Sequence, residues 1–181
     1  DNLLTNAVKT NPTLEHIRQT IDSSRIIVST TASLATHTAI FSIKHFELAI
    51  IDEASQILEP NIVGLLAAHN GGEQVIDKFI LIGDHKQLPA VVQQDNNESA
   101  ADSPLLEEIH LPNCANSLFE RLILTERAAG RTDFVGTLRK QGRMHPDIAA
   151  FPNTYFYERE QLECVPLAHQ TEPNLPYNEP S

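Results

Sequence analysis

The fold is decided by the stretch Phe-Glu-Leu-Ala-Ile-Ile-Asp-Glu at residues 46–53, a nearly unbroken apolar run that ends in two carboxylates. Two other runs have the same design: residues 25–28, which precede a Ser-Thr-Thr turn, and residues 79–82, which precede Gly83 and Asp84. Short, β-branched runs of this kind are typical of parallel strands covered on both faces. The pattern predicts an α/β fold with a mostly parallel sheet.

The segments around these runs can be assigned from their periodicity and composition. Residues 93–104 are polar and acidic, which indicates a mobile loop. The proline-rich segment 166–181 is expected to be extended or disordered. Helical spacing and helix-start residues predict helices over residues 13–22, 33–41, 60–68, 117–124 and 147–157, and a further apolar run predicts a fourth strand over residues 134–138.

Composition limits the kind of protein. The 181 residues have a formal net charge of −11, which is weak evidence against a nucleic-acid partner because a basic groove can coexist with an acidic average. No apolar run is long enough for a membrane span, and the N-terminus lacks a signal-peptide pattern. Cys114 and Cys164 stand alone, so we expect reduced thiols, no structural zinc and an intracellular protein, cytoplasmic or nuclear.

Polar residues follow each of the first three apolar runs. In open α/β sheets, ligands bind outside the carboxyl ends of the strands, so these side chains are expected along one rim. The six residues are Ser29, Thr30, Thr31, Asp52, Glu53 and Asp84. A strand that delivers Asp52 and Glu53 to a rim suits an NTPase, because the Asp can hold Mg²⁺ and the Glu can activate water. A pair of solvated acids at a strand end is an equally good interpretation of this feature alone.

Two later segments carry groups that suit phosphate chemistry. Gln87, in the turn 83–89, has a donor and an acceptor suited to a γ-phosphate or an attacking water, although an ordinary polar turn is the commoner case. Arg143 precedes a helix and could act as an arginine finger, although most arginines at such positions pair on the surface.

Taken together, the segments resemble one family. Residues 46–56 look like helicase motif II, residues 83–89 like motif III, and residues 141–157 like motif IV. Residues 26–34 look like motif Ic, and Ser-Leu-Phe-Glu-Arg-Leu at 117–122 is typical of the segment between motifs III and IV. The chain thus resembles the superfamily-one helicases, in the branch of the nonsense-mediated-decay RNA helicase and the replication helicase-nuclease, over about residues 26–157.

The resemblance implies a RecA-like P-loop NTPase core of the AAA type that uses ATP and Mg²⁺ to move along single-stranded DNA or RNA. It implies Asp52 as the Mg²⁺ residue, Glu53 as the group that activates water, Gln87 as the γ-phosphate sensor, and Arg143 as the finger. Carried over in the same way, the nucleotide contacts are Gln141, Arg143, Gln87 and Asp84, and the nucleic-acid backbone contacts are Thr30, Thr31 and Ser33.

Several departures from the family pattern shape the expectation. The sequence has no Gly-x-x-x-x-Gly-Lys-Ser/Thr and no later motifs, and Gly142 stands where an aromatic residue is usual. We therefore expect an internal fragment of a longer helicase, inactive alone, with the missing motifs supplied by the rest of that chain. Residues 1–138 would hold the latter part of the first RecA-like domain, and residues 139–181 the start of the second.

Two alternatives remain open at this point. Asp52, Asp84 and Lys86 could form a metal-dependent nuclease site, which leaves the segments 87–89 and 141–146 unexplained. The chain could also be a degenerate helicase-like module that binds without catalysis, although the presence of Asp52, Glu53 and the other motif residues argues against decay.

Overall fold

The computed structural model describes residues 13–95 and 97–171, and the chain divides into two compact units, Asp1–Thr125 and Glu126–Ser181. The first unit holds the helices α1 (Leu14–Ser23), α2 (Thr31–Thr36), α3 (Glu59–Leu66) and α4 (Pro104–Glu108), and the strands β1 (Ala49–Ile51), β2 (His69–Asn70), β3 (Glu73–Gln74) and β4 (Phe79–Leu81). Helix α5 (Leu118–Ala128) runs across the division, and the second unit holds β5 (Lys140–Gln141), α6 (Pro146–Tyr155), β6 (Glu163–Cys164) and α7 (Ala168–Thr171). The division into compact units does not test where a RecA-like domain ends, so the boundary predicted at residue 138 stays a prediction.

The centre of the first unit is a parallel pair of strands. Strands β1 and β4 lie side by side, with Ile50 opposite Ile80. The chain between them contains α3, which is the crossover that parallel strands need. The α/β architecture with parallel strands is therefore confirmed, as are the predicted strands at 46–51 and 79–82 in shortened form.

The core of the first unit consists of two apolar clusters that share α3. Leu65 of α3 packs with Phe41, Val75 and Ile76, whereas Ile62 and Leu66 of the same helix pack with Leu118 of α5. Adjacent positions on a helix face in different directions, so one helix can fill both clusters. Ala49 of β1 packs against the first cluster, and Ile51 and Leu81 pack against the second.

Only one face of the parallel pair is covered by described residues. Ile50 and Ile80 point to the opposite face, because side chains alternate along a strand, and they are 62% and 49% exposed. The prediction that both faces are covered is therefore wrong for the described part of the chain, where the helices pack on a single face.

Two predicted strands are absent. Residues 25–28 have no regular secondary structure: within the described ranges no backbone hydrogen bond joins residues 26–28 to a neighbouring strand, and Val28 is 90% exposed. Residues 134–138 are likewise irregular, with Leu138 88% exposed, and pairing starts instead at β5. An apolar run becomes a strand only where a partner backbone supplies its hydrogen bonds, and the run by itself does not reveal that partner.

The predicted helices are present, with shifts at their ends. The segments 13–22, 60–68, 117–124 and 147–157 correspond to α1, α3, α5 and α6. Segment 33–41 is split into α2 and a 3-10 helix, Thr38–Ser42. The predicted extended tail contains the short helix α7, and its residues 172–181 lie outside the described part of the chain.

A small hairpin was not predicted. Strands β2 and β3 are antiparallel and are joined by Gly71 and Gly72, whose φ angles are 61° and 89°. Two successive residues with positive φ form the hairpin turn that glycine favours. The Asn-Gly-Gly-Glu sequence was the available signal.

The second unit repeats the parallel pairing on a smaller scale. Strands β5 and β6 are parallel, with Gln141 opposite Cys164, and α6 lies between them in sequence. Pro146 occupies the first turn of α6, and the His145 ring accepts a hydrogen bond from the Asp147 amide at 3.2 Å. Proline suits a first turn because its missing N–H has no helical partner there.

Candidate nucleotide site

The acidic turn, residues 52–56, follows β1 directly. Asp52 and Glu53 are both exposed, and Asp52 Oδ1 accepts a hydrogen bond of 3.0 Å from the Glu53 amide. Glu53 has φ 52° and ψ 34°, a left-handed conformation that is uncommon for residues other than glycine. Its carboxylate accepts a bond of 3.3 Å from Gln56 Nε2. The turn therefore presents both carboxylates to solvent and holds each by one local hydrogen bond.

The second turn, residues 83–87, follows β4. The Lys86 amide donates to Asp84 Oδ1 at 3.0 Å, and Gln87 Nε2 donates to Asp84 Oδ2 at 3.1 Å. The Gln87 amide also donates to the Asp84 carbonyl at 3.2 Å. Asp84 thus organises its own turn and fixes the side chain of Gln87 beside it.

The two turns are joined to each other. The Ala54 amide donates to the Ile82 carbonyl at 2.8 Å, and the Asp84 amide donates to Ser55 Oγ at 3.1 Å. Gly83 permits this approach, since a Cβ there would lie 2.8 Å from the Ser55 nitrogen. The prediction from the sheet rule holds for Asp52, Glu53 and Asp84, which follow neighbouring parallel strands at the same edge.

A buried ion pair supports the helix behind the acidic turn. Glu59 at the start of α3 accepts bonds of 2.7 and 2.5 Å from Nε and Nη2 of Arg121 on α5. Their side chains are only 6% and 14% exposed, and Arg121 Nη1 also donates to the Ile109 carbonyl at 2.8 Å. Sequence reasoning missed this pair because 62 residues separate its members.

The hydroxyl segment 29–33 lies at the start of α2. Thr30 caps that helix, because its Oγ1 accepts a bond of 3.1 Å from the Ser33 amide. Thr30 and Ser33 are exposed and Thr31 is half-buried. Because the strand predicted at 25–28 is not formed, strand pairing does not bring this segment to the edge where the acidic turn and the second turn lie.

The arginine loop, residues 141–144, belongs to the second unit. Gln141 Oε1 accepts bonds of 2.9 and 2.7 Å from the amides of Arg143 and Met144. Gln141 Nε2 donates to the Met144 carbonyl and to Cys164 Sγ, both at 2.9 Å. Arg143 is exposed, and within the described residues its guanidinium has no hydrogen bond or ion pair. The loop therefore fixes its backbone and leaves the arginine head available.

In residues 13–95 and 97–171, no three His, Cys, Asp or Glu side chains are grouped closely enough to hold a metal ion by themselves. Over the same ranges, no helix has both the length and the apolar character needed to cross a bilayer.

Comparison with known proteins finds a family match for both parts of the chain. Models of an AAA domain match residues 5–95 and residues 114–180. The chain is 35% identical over 142 residues to the human DNA replication ATP-dependent helicase/nuclease DNA2, covering 78% of this chain and 11% of that protein. It is 35% identical over 129 residues to the ATP-dependent helicase NAM7 of Saccharomyces cerevisiae, covering 71% of this chain and 11% of that protein.

A third relative carries a different name. The DNA polymerase alpha-associated DNA helicase A of Saccharomyces cerevisiae is 31% identical over 131 residues, covering 72% of this chain and 17% of that protein. The chain therefore spans between about a tenth and a sixth of the length of these relatives.

Proposed function

The chain belongs to the superfamily-one helicases, in the branch of the replication helicase-nucleases and the nonsense-mediated-decay helicase, and on that premise we propose that it forms part of an ATP-driven motor on single-stranded nucleic acid. The observation that carries the proposal is the pair of joined turns at the ends of β1 and β4. Asp52 and Glu53, both exposed, lie in a turn that is hydrogen-bonded through Ser55 to the turn that holds Asp84 and Gln87.

The proposed role of each residue at this edge follows from what its side chain can still bind. Asp52 accepts a bond from its neighbour through Oδ1, so its exposed carboxylate can serve Mg²⁺, which binds through one or two carboxylates plus water and phosphate oxygens. When bound, Mg²⁺ would neutralise charge on the phosphates. Glu53 would orient a water and take its proton, and Gln87, fixed by Asp84, would contact the γ-phosphate.

Arg143 is proposed as the group that reaches the γ-phosphate from the second part of the motor. Its guanidinium is exposed and without a partner in the described residues, while its backbone is held by Gln141. A planar fork on a fixed backbone suits phosphate oxygens. Gln141 was predicted as a nucleotide contact, and its amide is used for holding this loop, so we propose that it acts mainly by presenting Arg143.

We propose that the nucleic-acid backbone binds at the hydroxyl segment. Thr31 and Ser33 offer hydroxyls at the start of α2, where Thr30 caps the helix. Hydroxyls and backbone amides are common phosphate contacts that carry no sequence information. The net charge of −11 means that such binding would depend on a local surface.

We further propose that the 181 residues do not hydrolyse ATP alone. The sequence contains no Gly-x-x-x-x-Gly-Lys-Ser/Thr, the element whose amides and lysine cradle the phosphates. The proposed division into two RecA-like parts at residues 138 and 139 belongs to the same hypothesis. In it, ATP hydrolysis belongs to a longer polypeptide that carries these residues.

The test is Glu53→Gln in the full-length polypeptide. ATP hydrolysis stimulated by single-stranded oligo-dT or oligo-U should fall by about 10²- to 10⁴-fold, because the group that takes the proton is lost. ATP binding, followed with a fluorescent nucleotide, should persist. Glu73→Gln is the matched control, since Glu73 is an exposed residue of the β2–β3 hairpin.

The outcome also separates the alternatives. Hydrolysis that is unchanged in Glu53→Gln, or absent from the wild-type polypeptide with either strand, would exclude the motor. Cleavage of the oligonucleotide that needs Mg²⁺ and Asp84 would favour the nuclease. In the described structure both carboxylate oxygens of Asp84 already accept hydrogen bonds from its own turn, which favours a structural role for this residue.

A further inference from the structure

The arginine loop is held from outside by the short helix α7. Gln170 Nε2 donates to the carbonyls of Gln141 and Met144, at 3.0 and 2.9 Å. The neighbouring His169 ring lies 2.8 Å from the Gly142 carbonyl. Three carbonyls of a four-residue loop are therefore tied to two successive side chains of one helix.

Gln170 is unusual as a packing residue. It is 1% exposed, and its Oε1 has no hydrogen-bond partner. A buried amide oxygen without a partner is unfavourable, whereas an apolar side chain of equal size would fill the same space. The amide is therefore explained by what its Nε2 does, which is to fix the loop on both sides of Arg143.

We propose that Gln170 is a positioning residue that acts through Arg143. This inference rests on the proposed role of Arg143 at the γ-phosphate. Gln141 closes the loop from within, and Gln170 fixes the closed loop against α7. Removing the hydrogen bonds of Gln170 would let the loop shift while Arg143 itself stayed unchanged.

The experiment is Gln170→Met in the full-length polypeptide, with ATP hydrolysis measured in the presence of oligo-dT or oligo-U. Methionine keeps the volume and removes both donors. Because displacement of a catalytic group by about 1 Å can slow a reaction up to 10²-fold, kcat should fall about 10- to 100-fold with KM unchanged. Thr171→Val is the matched control, since within the described part of the chain its hydroxyl bonds to the carbonyls of Leu167 and Ala168 and not to the arginine loop.

A double-mutant cycle distinguishes positioning from general structure. Added to Arg143→Ala, Gln170→Met should cause no further loss, because the group through which it acts is already gone. An equal loss in both backgrounds overturns the positioning role. If Arg143→Ala lowers kcat and Gln170→Met does not, this inference fails and the proposed function stands. If Arg143→Ala has no effect, the proposed role of Arg143 fails first.

A second variant covers the case in which Gln170→Met does not fold. His169 is exposed, so His169→Phe removes the contact with Gly142 without opening the interior. Its kcat should fall less, about threefold, because one of three carbonyl contacts is lost. That loss should also vanish in the Arg143→Ala background, and its persistence there would overturn the proposal.

Discussion

The acidic turn and the arginine loop each follow a parallel strand, yet they are held in different ways. The acidic turn is fixed by close approach to the turn after β4, where Gly83 leaves no room for a Cβ. The arginine loop is fixed by side-chain amides, those of Gln141 within it and Gln170 outside it. The close main-chain contact at Gly83 tolerates little added side-chain volume, whereas the side-chain amides of Gln141 and Gln170 can be removed one at a time.

The two units also contain ion pairs of similar geometry in different surroundings. Glu59 and Arg121 form a bidentate pair that is nearly buried, and Glu126 and Arg131 form a bidentate pair with bonds of 2.7 and 2.6 Å whose arginine side chain is 53% exposed. The two pairs share their bidentate geometry and differ in how far they are buried. This difference predicts that the buried pair stabilises its unit more than the partly exposed pair stabilises the other.

The largest effect is expected from Glu59→Gln. Breaking a buried pair leaves the Arg121 charge without its partner, so the free energy of unfolding should fall by about 3 kcal/mol. Urea denaturation monitored by circular dichroism measures it. A loss no greater than that of Glu126→Gln would mean that burial does not distinguish the two pairs.

Gly83→Ala should have an intermediate effect. The new Cβ would meet the Ser55 backbone nitrogen at 2.8 Å and Ser55 Oγ at 3.0 Å, so the two turns must separate. Overpacking of this kind destabilises by about 1–3 kcal/mol. In the full-length polypeptide ATP hydrolysis should fall as well, because the turns of Asp52 and Gln87 are displaced.

Gly64→Ala is the matched control for Gly83→Ala. Gly64 lies within α3, and a Cβ there would meet no atom within 4 Å. Alanine should stabilise this helix by about 0.5–1 kcal/mol. If both substitutions changed the melting temperature in the same direction, the close contact between the turns would not be what fixes them.

The smallest effect is expected from Glu126→Gln. The side-chain hydrogen bond and the charge of Arg131 lower the pKa of the Glu126 carboxyl. A lowered pKa in the folded state contributes stability above the ordinary carboxyl pKa, and that contribution is lost as the pH falls through the folded value. The small difference in melting temperature between wild type and variant near neutral pH should therefore vanish in acid. A difference that grew on acidification would reverse the sign of this linkage.

Much of the first unit could be predicted because its signals are local. The apolar runs before Asp52 and Gly83 identified two strands, and the sheet rule then joined their turns correctly. The runs at 25–28 and 134–138 looked equally like strands and are not, since a strand is completed by a partner that can come from anywhere in the chain.

The support of the candidate site could not be predicted in this way. Glu59 finds Arg121 across 62 residues, and Gln170 reaches Gln141 across 29 residues. Nothing in the neighbourhood of any of these residues indicates the partner. The motifs predict which residues carry chemistry, and they do not indicate which residues hold them.

The sequence by itself determined the family, the parallel α/β arrangement and the identity of the polar turns, because each depends on residue types at short, fixed spacings. The tertiary structure alone decided which apolar runs pair, which face of the sheet is covered, that Glu59 pairs with Arg121, and that Gln170 holds the arginine loop. Those outcomes depend on long-range contacts, whose burial and hydrogen bonding exist only once the chain has folded.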